Sequence, residues 1–188
     1  MKDNFNLIVA GYGGQGILTA TEIIVGASLK EGNDVRETEL HGLAQRGGSL
    51  DCHVRFGKKI FSPLVSRGEA DLIIAFEAVE ALRACYYANK ETIVILNSKV
   101  FRSESKLKEI VAKIEKVAKK AYVIDADKIV RAETGAITGT NIFLLGYALG
   151  KGAIPLKKES ILQSIKENIR PRFIDENMRL LEKGEKSD

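Results

Sequence analysis

The 188-residue chain has only two cysteines, two histidines and no apolar stretch long enough to cross a bilayer. Each scarcity excludes a class. An iron–sulfur cluster held by one chain usually takes four thiolates, so none is expected on this chain alone. Cys52 and Cys85 lie far apart and match no metal or redox spacing. Buried free thiols are expected rather than a disulfide. His41 and His53 are too few to make a metal site by themselves. Aromatic residues are 6% of the chain, and none interleaves with the lysines at 113–120. A nucleic-acid surface needs such stacking platforms, so these lysines read as solvated helix faces. Residues 1–4 run straight into an apolar segment without a signal-like region, so a cytoplasmic location off the membrane is expected.

What is present fits one soluble domain. The net charge of +4 is mildly basic, and the apolar and charged fractions, 45% and 29%, are ordinary. The length suffices for one sizeable core. No repeat or low-complexity segment is evident. The domain is read as residues 1–182, with 183–188 as a frayed tail.

The pattern turns on Gly11-Tyr12-Gly13-Gly14-Gln15-Gly16. An apolar run, 5–10, precedes it and a helical pattern, 17–30, follows, ending at Gly32-Asn33. Gly11, Gly13 and Gly16 fall as G-x-G-x-x-G between strand and helix. In a nucleotide-binding unit the first permits the turn, the second admits a pyrophosphate and the third lets helix pack on strand. The helix N-terminus then offers unpaired N–H groups to an anion. This predicts a Rossmann-like α/β fold: an open, mainly parallel sheet with helices on both faces. It does not by itself establish a dinucleotide ligand.

A second glycine-containing stretch is His41-Gly42-Leu43-Ala44-Gln45-Arg46-Gly47-Gly48. It follows a strand read at 34–39, on the sheet edge where open α/β folds bind ligands. Glycine placement here frees backbone N–H groups to face an anion, and Arg46 offers a bidentate clamp. His41 and Arg46 are the candidate catalytic side chains; for Arg46 a structural ion pair is an equal alternative. Glu37 and Glu39 stand where a dehydrogenase places its ribose-binding acid, but they read better as the polar face of a strand.

Residues 49–56 alternate, with Leu50, Cys52, Val54 and Phe56 on one face and Ser49, Asp51, His53 and Arg55 on the other. That is a half-buried strand. Gly57-Lys58-Lys59 is read as the turn of a hairpin into 60–64, an insertion that makes the sheet mixed. Apolar runs at 72–76 and 92–96 read as central parallel strands. Glu77 either faces a ligand or caps the helix read at 78–88, the cap being favoured. An amphipathic helix is read at 104–119, a strand at 122–124 and a short helix, capped from Asp125, through 132. A third polar loop with two glycines, 133–141, precedes an all-apolar helix at 142–150, which is read as covered by a partner rather than by the core. Helices at 157–168 and 171–182 close the chain.

The glycine turn with Ile17-Leu18, and the His41 to Ser49 stretch, together resemble the small catalytic (gamma-type) subunit of 2-oxoacid:ferredoxin oxidoreductases. So do Ser62-Pro63-Leu64, Gly68-Glu69-Ala70-Asp71, Ala75-Phe76-Glu77 and Glu80-Ala81-Leu82. The indolepyruvate enzymes are the nearest branch. Leu43 stands where that family often has methionine, a conservative change. The resemblance implies that a 2-oxoacid is decarboxylated and oxidised, with its acyl group passing to coenzyme A and two electrons to ferredoxin. It also implies thiamine diphosphate and iron–sulfur clusters on a large partner subunit, since this chain lacks cluster cysteines and a Gly-Asp-Gly thiamine motif. This chain then supplies part of the active-site wall and is inactive alone. Gly11, Gly13, Gly14, Gln15, Gly16, Gly47, Gly48 and Glu77 are its candidate ligand-facing residues. Two other readings remain open: a stand-alone NAD(P)-dependent dehydrogenase and a non-enzymatic docking module.

Overall fold

The computed structural model describes residues 3–42, 47–101 and 103–188. Six strands form one sheet in the order β2-β3-β1-β4-β5-β6. They are β1 (Asn4–Tyr12), β2 (Asp34–His41), β3 (Ser49–Gly57), β4 (Leu72–Ala75), β5 (Ile93–Asn97) and β6 (Lys120–Ile124). β1, β4, β5 and β6 run parallel, and β3 is antiparallel to both β1 and β2. Their central members read as unbroken apolar runs because helices cover both faces. Leu7, Val9, Leu72 and Ile74 pack on one side, and Ile8, Ala10, Ile73 and Ala75 on the other.

The first face is covered by α1 (Ile17–Lys30), α4 (Ala126–Thr134), α5 (Thr140–Gly150), α6 (Lys158–Asn168) and α7 (Ile174–Glu185). α2 (Ala78–Ala84) and α3 (Leu107–Glu115) cover the second. α1 starts and stops where its glycines predict. Gly26 inside it is a packing position, since a Cβ there would overlap the Ser164 hydroxyl of α6. α3 is shorter than the expected 104–119, and Val117 at the end of its stripe is 39% exposed.

Three expectations are corrected. The hairpin is β2–β3, not a pairing of β3 with 60–64. The 60–67 segment instead crosses the second face of β3. Arg55 fastens it there, donating to the Ser62 and Leu64 carbonyls, each at 3.1 Å. That crossing buries His53 completely. Its Nδ1 accepts the Val65 N–H at 3.0 Å, and its ring packs nearly perpendicular to Tyr87 with ring centroids 4.7 Å apart. β3 is therefore covered on both faces, not half-buried.

The apolar helix α5 is core of this chain rather than a partner surface. Ile142, Phe143, Leu144, Leu145, Tyr147 and Ala148 are all buried within the subunit. Its principal neighbour is α7, and glycines set their approach. A Cβ on Gly146 would overlap the Leu181 carbonyl oxygen, and one on Gly184 the Phe143 carbonyl oxygen. The C-terminus is docked too. α7 continues to Glu185, the Tyr147 hydroxyl donates to the Asp188 carbonyl at 3.2 Å, and Lys151 donates to the Ser187 carbonyl at 3.1 Å.

Candidate functional site

The C-terminal edge of the parallel strands carries a cleft of about 540 Å³. Its floor is the glycine turn, at Gly14, Gln15 and Gly16, and the end of β4 at Phe76. The turn needs its glycines, since Gly14 and Gly16 have φ of 103° and 80°. Gln15 closes it from within: its Oε1 accepts the Tyr12 N–H at 2.7 Å, and its own N–H donates to the Tyr12 carbonyl at 3.1 Å.

Two helix N-termini meet at this cleft. Gly16 caps α1 and Gly139 caps α5, and neither cap has a side chain to satisfy the first N–H groups. Neither first turn carries an acid. Asn141 joins the two, its Nδ2 donating to the Gly16 carbonyl at 3.1 Å. Its Oδ1 is buried with no hydrogen-bond partner among the described residues. Helix N-termini without side-chain caps, presenting two positive dipole ends, are the arrangement that favours an anion. Lys99 and Arg170 also line the cleft, as do Asp127 and Glu176. Lys99 is tethered to Asp127 at 3.6 Å, and the Thr140 hydroxyl donates to that same aspartate at 2.9 Å. Ile137, Ile169 and Phe173 add an apolar wall, so the cleft suits a ligand with both phosphate and ring character.

The predicted residues fall into separate places. Gly14, Gln15 and Gly16 line the cleft. Gly11 is fixed by packing, a Cβ there standing 3.0 Å from Ile17 Cδ1 and 3.2 Å from Phe76 Cβ. Gly13, Gly47 and Gly48 are joined to each other. Gly13 N–H donates to the Gly48 carbonyl at 2.9 Å, and Gly47 N–H to the Gly13 carbonyl at 3.1 Å. The two glycine stretches therefore do meet, but these N–H groups bind backbone instead of facing an anion. Arg46 and residues 43–45 lie outside the described residues. His41 is exposed at the sheet edge, with Nδ1 3.0 Å from the Gly42 carbonyl. Its register partner Leu50 lies three positions from His53, so the two histidines face opposite sides of the sheet.

Glu77 is a helix cap. It is fully buried, and its carboxylate accepts the Glu80 N–H at 2.9 Å and the Phe101 N–H at 2.7 Å. Both oxygens thus serve the backbone. Glu37 and Glu39 lie on the edge strand, separated from β1 by β3. Two strand spacings are roughly 9–10 Å, too far for the ribose contact of a dinucleotide at the glycine turn. Burial pushes the Cys52 thiol up to about 12 and the Cys85 thiol up to about 11, so neither is a nucleophile near neutrality. Among the described residues no three His, Cys, Asp or Glu side chains group as a metal site, and no helix is long and apolar enough to cross a membrane.

Lys99, Asn141 and Arg170 were not among the predicted site residues. Asn141 had a signal, a polar residue opening an all-apolar helix after a glycine loop. Lys99 had a weaker one, two residues past a buried strand. Arg170 had none, since only the packing of α6 on α1 brings it to the turn.

Asp51 gives a stability test. Burial, then the charge of Glu80, raises its carboxyl to about 6. A folded value above the unfolded one means that the cost of ionisation is absent below about 4 and fully present above about 6. Asp51→Asn is expected to stabilise the isolated chain by about 1–2 kcal/mol at pH 7.5, after allowance for partial exposure, with no gain at pH 4. Urea titrations at the two pH values measure it; an equal effect at both would refute the assignment.

A model of the family described as pyruvate ferredoxin/flavodoxin oxidoreductase matches residues 6–187. Indolepyruvate oxidoreductase subunit IorB of Archaeoglobus fulgidus is 36% identical over 188 residues, 95% of this chain and 92% of that protein. Among solved structures, pyruvate oxidoreductase subunit PORC of Thermotoga maritima superposes with a TM-score of 0.74 at 21% identity, covering 99% of this chain and 97% of that one. A 2-oxoglutarate:ferredoxin oxidoreductase from Magnetococcus marinus, solved with 2-oxoglutarate, coenzyme A and succinyl-CoA, superposes with a TM-score of 0.77 at 18% identity. It covers 98% of this chain and 31% of that longer one.

Proposed function

The chain belongs to the pyruvate ferredoxin/flavodoxin oxidoreductase family as a small subunit of a 2-oxoacid oxidoreductase, and we propose that its complex acts on an aryl-2-oxoacid such as indolepyruvate. The complex decarboxylates the 2-oxoacid, passes two electrons to ferredoxin and transfers the acyl group to coenzyme A. The observation that supports the substrate class is the 36% identity, over nearly the full length of both chains, to an indolepyruvate oxidoreductase subunit.

The residues present do not fit thiamine diphosphate or an iron–sulfur cluster. There are two cysteines, both with raised thiols, and no Gly-Asp-Gly. Both groups are therefore assigned to a large partner subunit. Coenzyme A does fit. Its phosphates match the paired helix N-termini with Lys99 and Arg170, and its adenine matches the apolar wall. This chain then binds and orients the acyl acceptor beside chemistry performed by the partner.

The NAD(P) alternative loses its main support, because β3 separates Glu37 and Glu39 from the turn. In the assembled complex, Arg170→Ala is expected to raise the KM for coenzyme A about tenfold, the scale of one charge-assisted contact at a partly solvated site. Its KM for the 2-oxoacid should hold. An unchanged coenzyme A KM, with assembly intact, removes the cleft from the proposal.

A further inference from the structure

The second face of β3 is covered completely at His53 but only partly at Asp51 and Ser49. Segment 60–67 and Tyr87 close the His53 end, and α2 lies against β1, β4 and β5. At the other end the register sets Ser49 opposite Tyr12 of β1, and Asp51 opposite Leu40 of β2. Opposed residues of antiparallel strands share a face, so these four side chains adjoin. Phe101 extends the patch from Tyr12, with ring centroids 5.4 Å apart, and Tyr86 extends it from Tyr87, at 5.1 Å. Leu40, Leu64, Tyr86 and Phe101 are all exposed. Single exposed apolar side chains are ordinary, but these surround a pair of charges.

The charges are Asp51 and Glu80. Glu80 is fully buried and reaches from α2 to β3, where the Ser49 hydroxyl donates to its Oε2. Ser49 and Asp51 are alternate residues of one strand, so their side chains stand roughly 7 Å apart on this face. Glu80 Oε1 and Asp51 Oδ1 are buried and accept no hydrogen bond among the described residues. Arg83 Nη1 stands 3.4 Å from Oε1, but most of that side chain is in solvent. Arg55 is held by the Ser62 and Leu64 carbonyls, and Arg67 lies over the Tyr86 ring. A chain of net charge +4 therefore keeps two crowded carboxylates at the centre of an apolar surface. In the isolated subunit that arrangement is destabilising.

We propose that this face is where the large partner subunit docks, with an arginine of the partner seated between the exposed aromatic side chains and the carboxylates of Asp51 and Glu80. A guanidinium suits both surroundings, since its fork bonds carboxylates and its plane stacks on rings. Aromatic side chains around a desolvated ion pair have the character of an interface centre. Tyr12 runs directly into the glycine turn that floors the cleft, so a partner seated here stands beside the bound acyl acceptor. The inference rests on the proposed function, which supplies the partner.

The test uses the co-purified complex carrying Asp51→Asn, Asp51→Arg or, as control, Glu39→Gln. Glu39 pairs with Cys52 and so lies on the opposite face of the sheet. Native mass over a dilution series reads assembly. Wild-type turnover of a 2-oxoacid with coenzyme A tests the underlying reading separately. Asp51→Asn is expected to dissociate at a concentration about tenfold or more above wild type, although the same change stabilises the free subunit. Asp51→Arg sets like charges together and should leave no complex, while Glu39→Gln should match wild type. If Asp51→Arg fails to fold, Asp51→Asn still decides the matter. Amides of residues 38–42 and 86–88 should exchange about tenfold or more slowly in the wild-type complex than in the free chain. Wild-type assembly of Asp51→Asn, or no added protection at those residues, overturns the docking face and leaves the 2-oxoacid reading standing. An equal weakening by Glu39→Gln overturns it too. A wild-type complex inert toward 2-oxoacids overturns the reading beneath it.

Discussion

Gly184→Val is expected to lower the Tm of the subunit by roughly 6–12 °C, or to abolish soluble protein. The cause is backbone contact between α5 and α7. A Cβ at Gly184 would overlap the Phe143 carbonyl oxygen and stand 2.8 Å from the Tyr147 nitrogen. Neither is the end of a flexible side chain, so the helices themselves must separate. Gly146 and Gly150 face the Leu181 and Glu185 carbonyls in the same way, so the contact runs the length of both helices. Leu180 and Leu181 are fully buried beside it, and separation also forfeits their packing. About 3 kcal/mol or more is the expected cost, a large share of a typical domain's stability. Gly42→Ala is the control, because a Cβ there meets nothing within 4 Å. It should change stability by less than about 0.5 kcal/mol. Equal thermal curves for the Gly184 variant and wild type would contradict the packing.

Arg46→Ala is expected to slow turnover of the assembled complex by roughly 2–4 kcal/mol in transition-state terms, the scale of losing a preorganised charged donor. The expectation rests on the sequence: an arginine in a glycine-rich stretch can clamp a carboxylate or a phosphate with a bidentate pair of bonds. Arg46→Lys should recover only part of the loss, since an ammonium lacks the bidentate fork. Steady-state kinetics on variants of verified native mass decides it. An unchanged rate would favour the docking-module reading of this chain.

The fold was readable wherever burial had a period. β1, β4 and β5 are covered on both faces and appear as apolar runs. α1 is bounded by glycines at both ends. The hairpin was not readable, because alternation in β3 shows that it has a partner but not which one. Residues 60–64 carry apolar side chains as a strand would, yet Pro63 and the Arg55 clamp hold them across the sheet. His53 looked solvent-facing for the same reason, since its cover comes from a segment that forms no strand. α5 is apolar all round, and that pattern does not say whether its cover is α7 or another chain. The small residues that answer the question, Gly146 and Gly184, are 38 positions apart. The site was half legible. Its glycine turn is a local motif, but Lys99 and Arg170 reach it only through tertiary packing.

Co-purification from the native host tests the central claim most directly. The chain is tagged in place and recovered without oxygen, and the mass and visible spectrum of the isolate are recorded. The account predicts a large partner with brown iron–sulfur absorption, and reduction of ferredoxin that requires both coenzyme A and a 2-oxoacid, with indolepyruvate ahead of pyruvate. A colourless homo-oligomer, recovered repeatedly and inert toward 2-oxoacids, would contradict it.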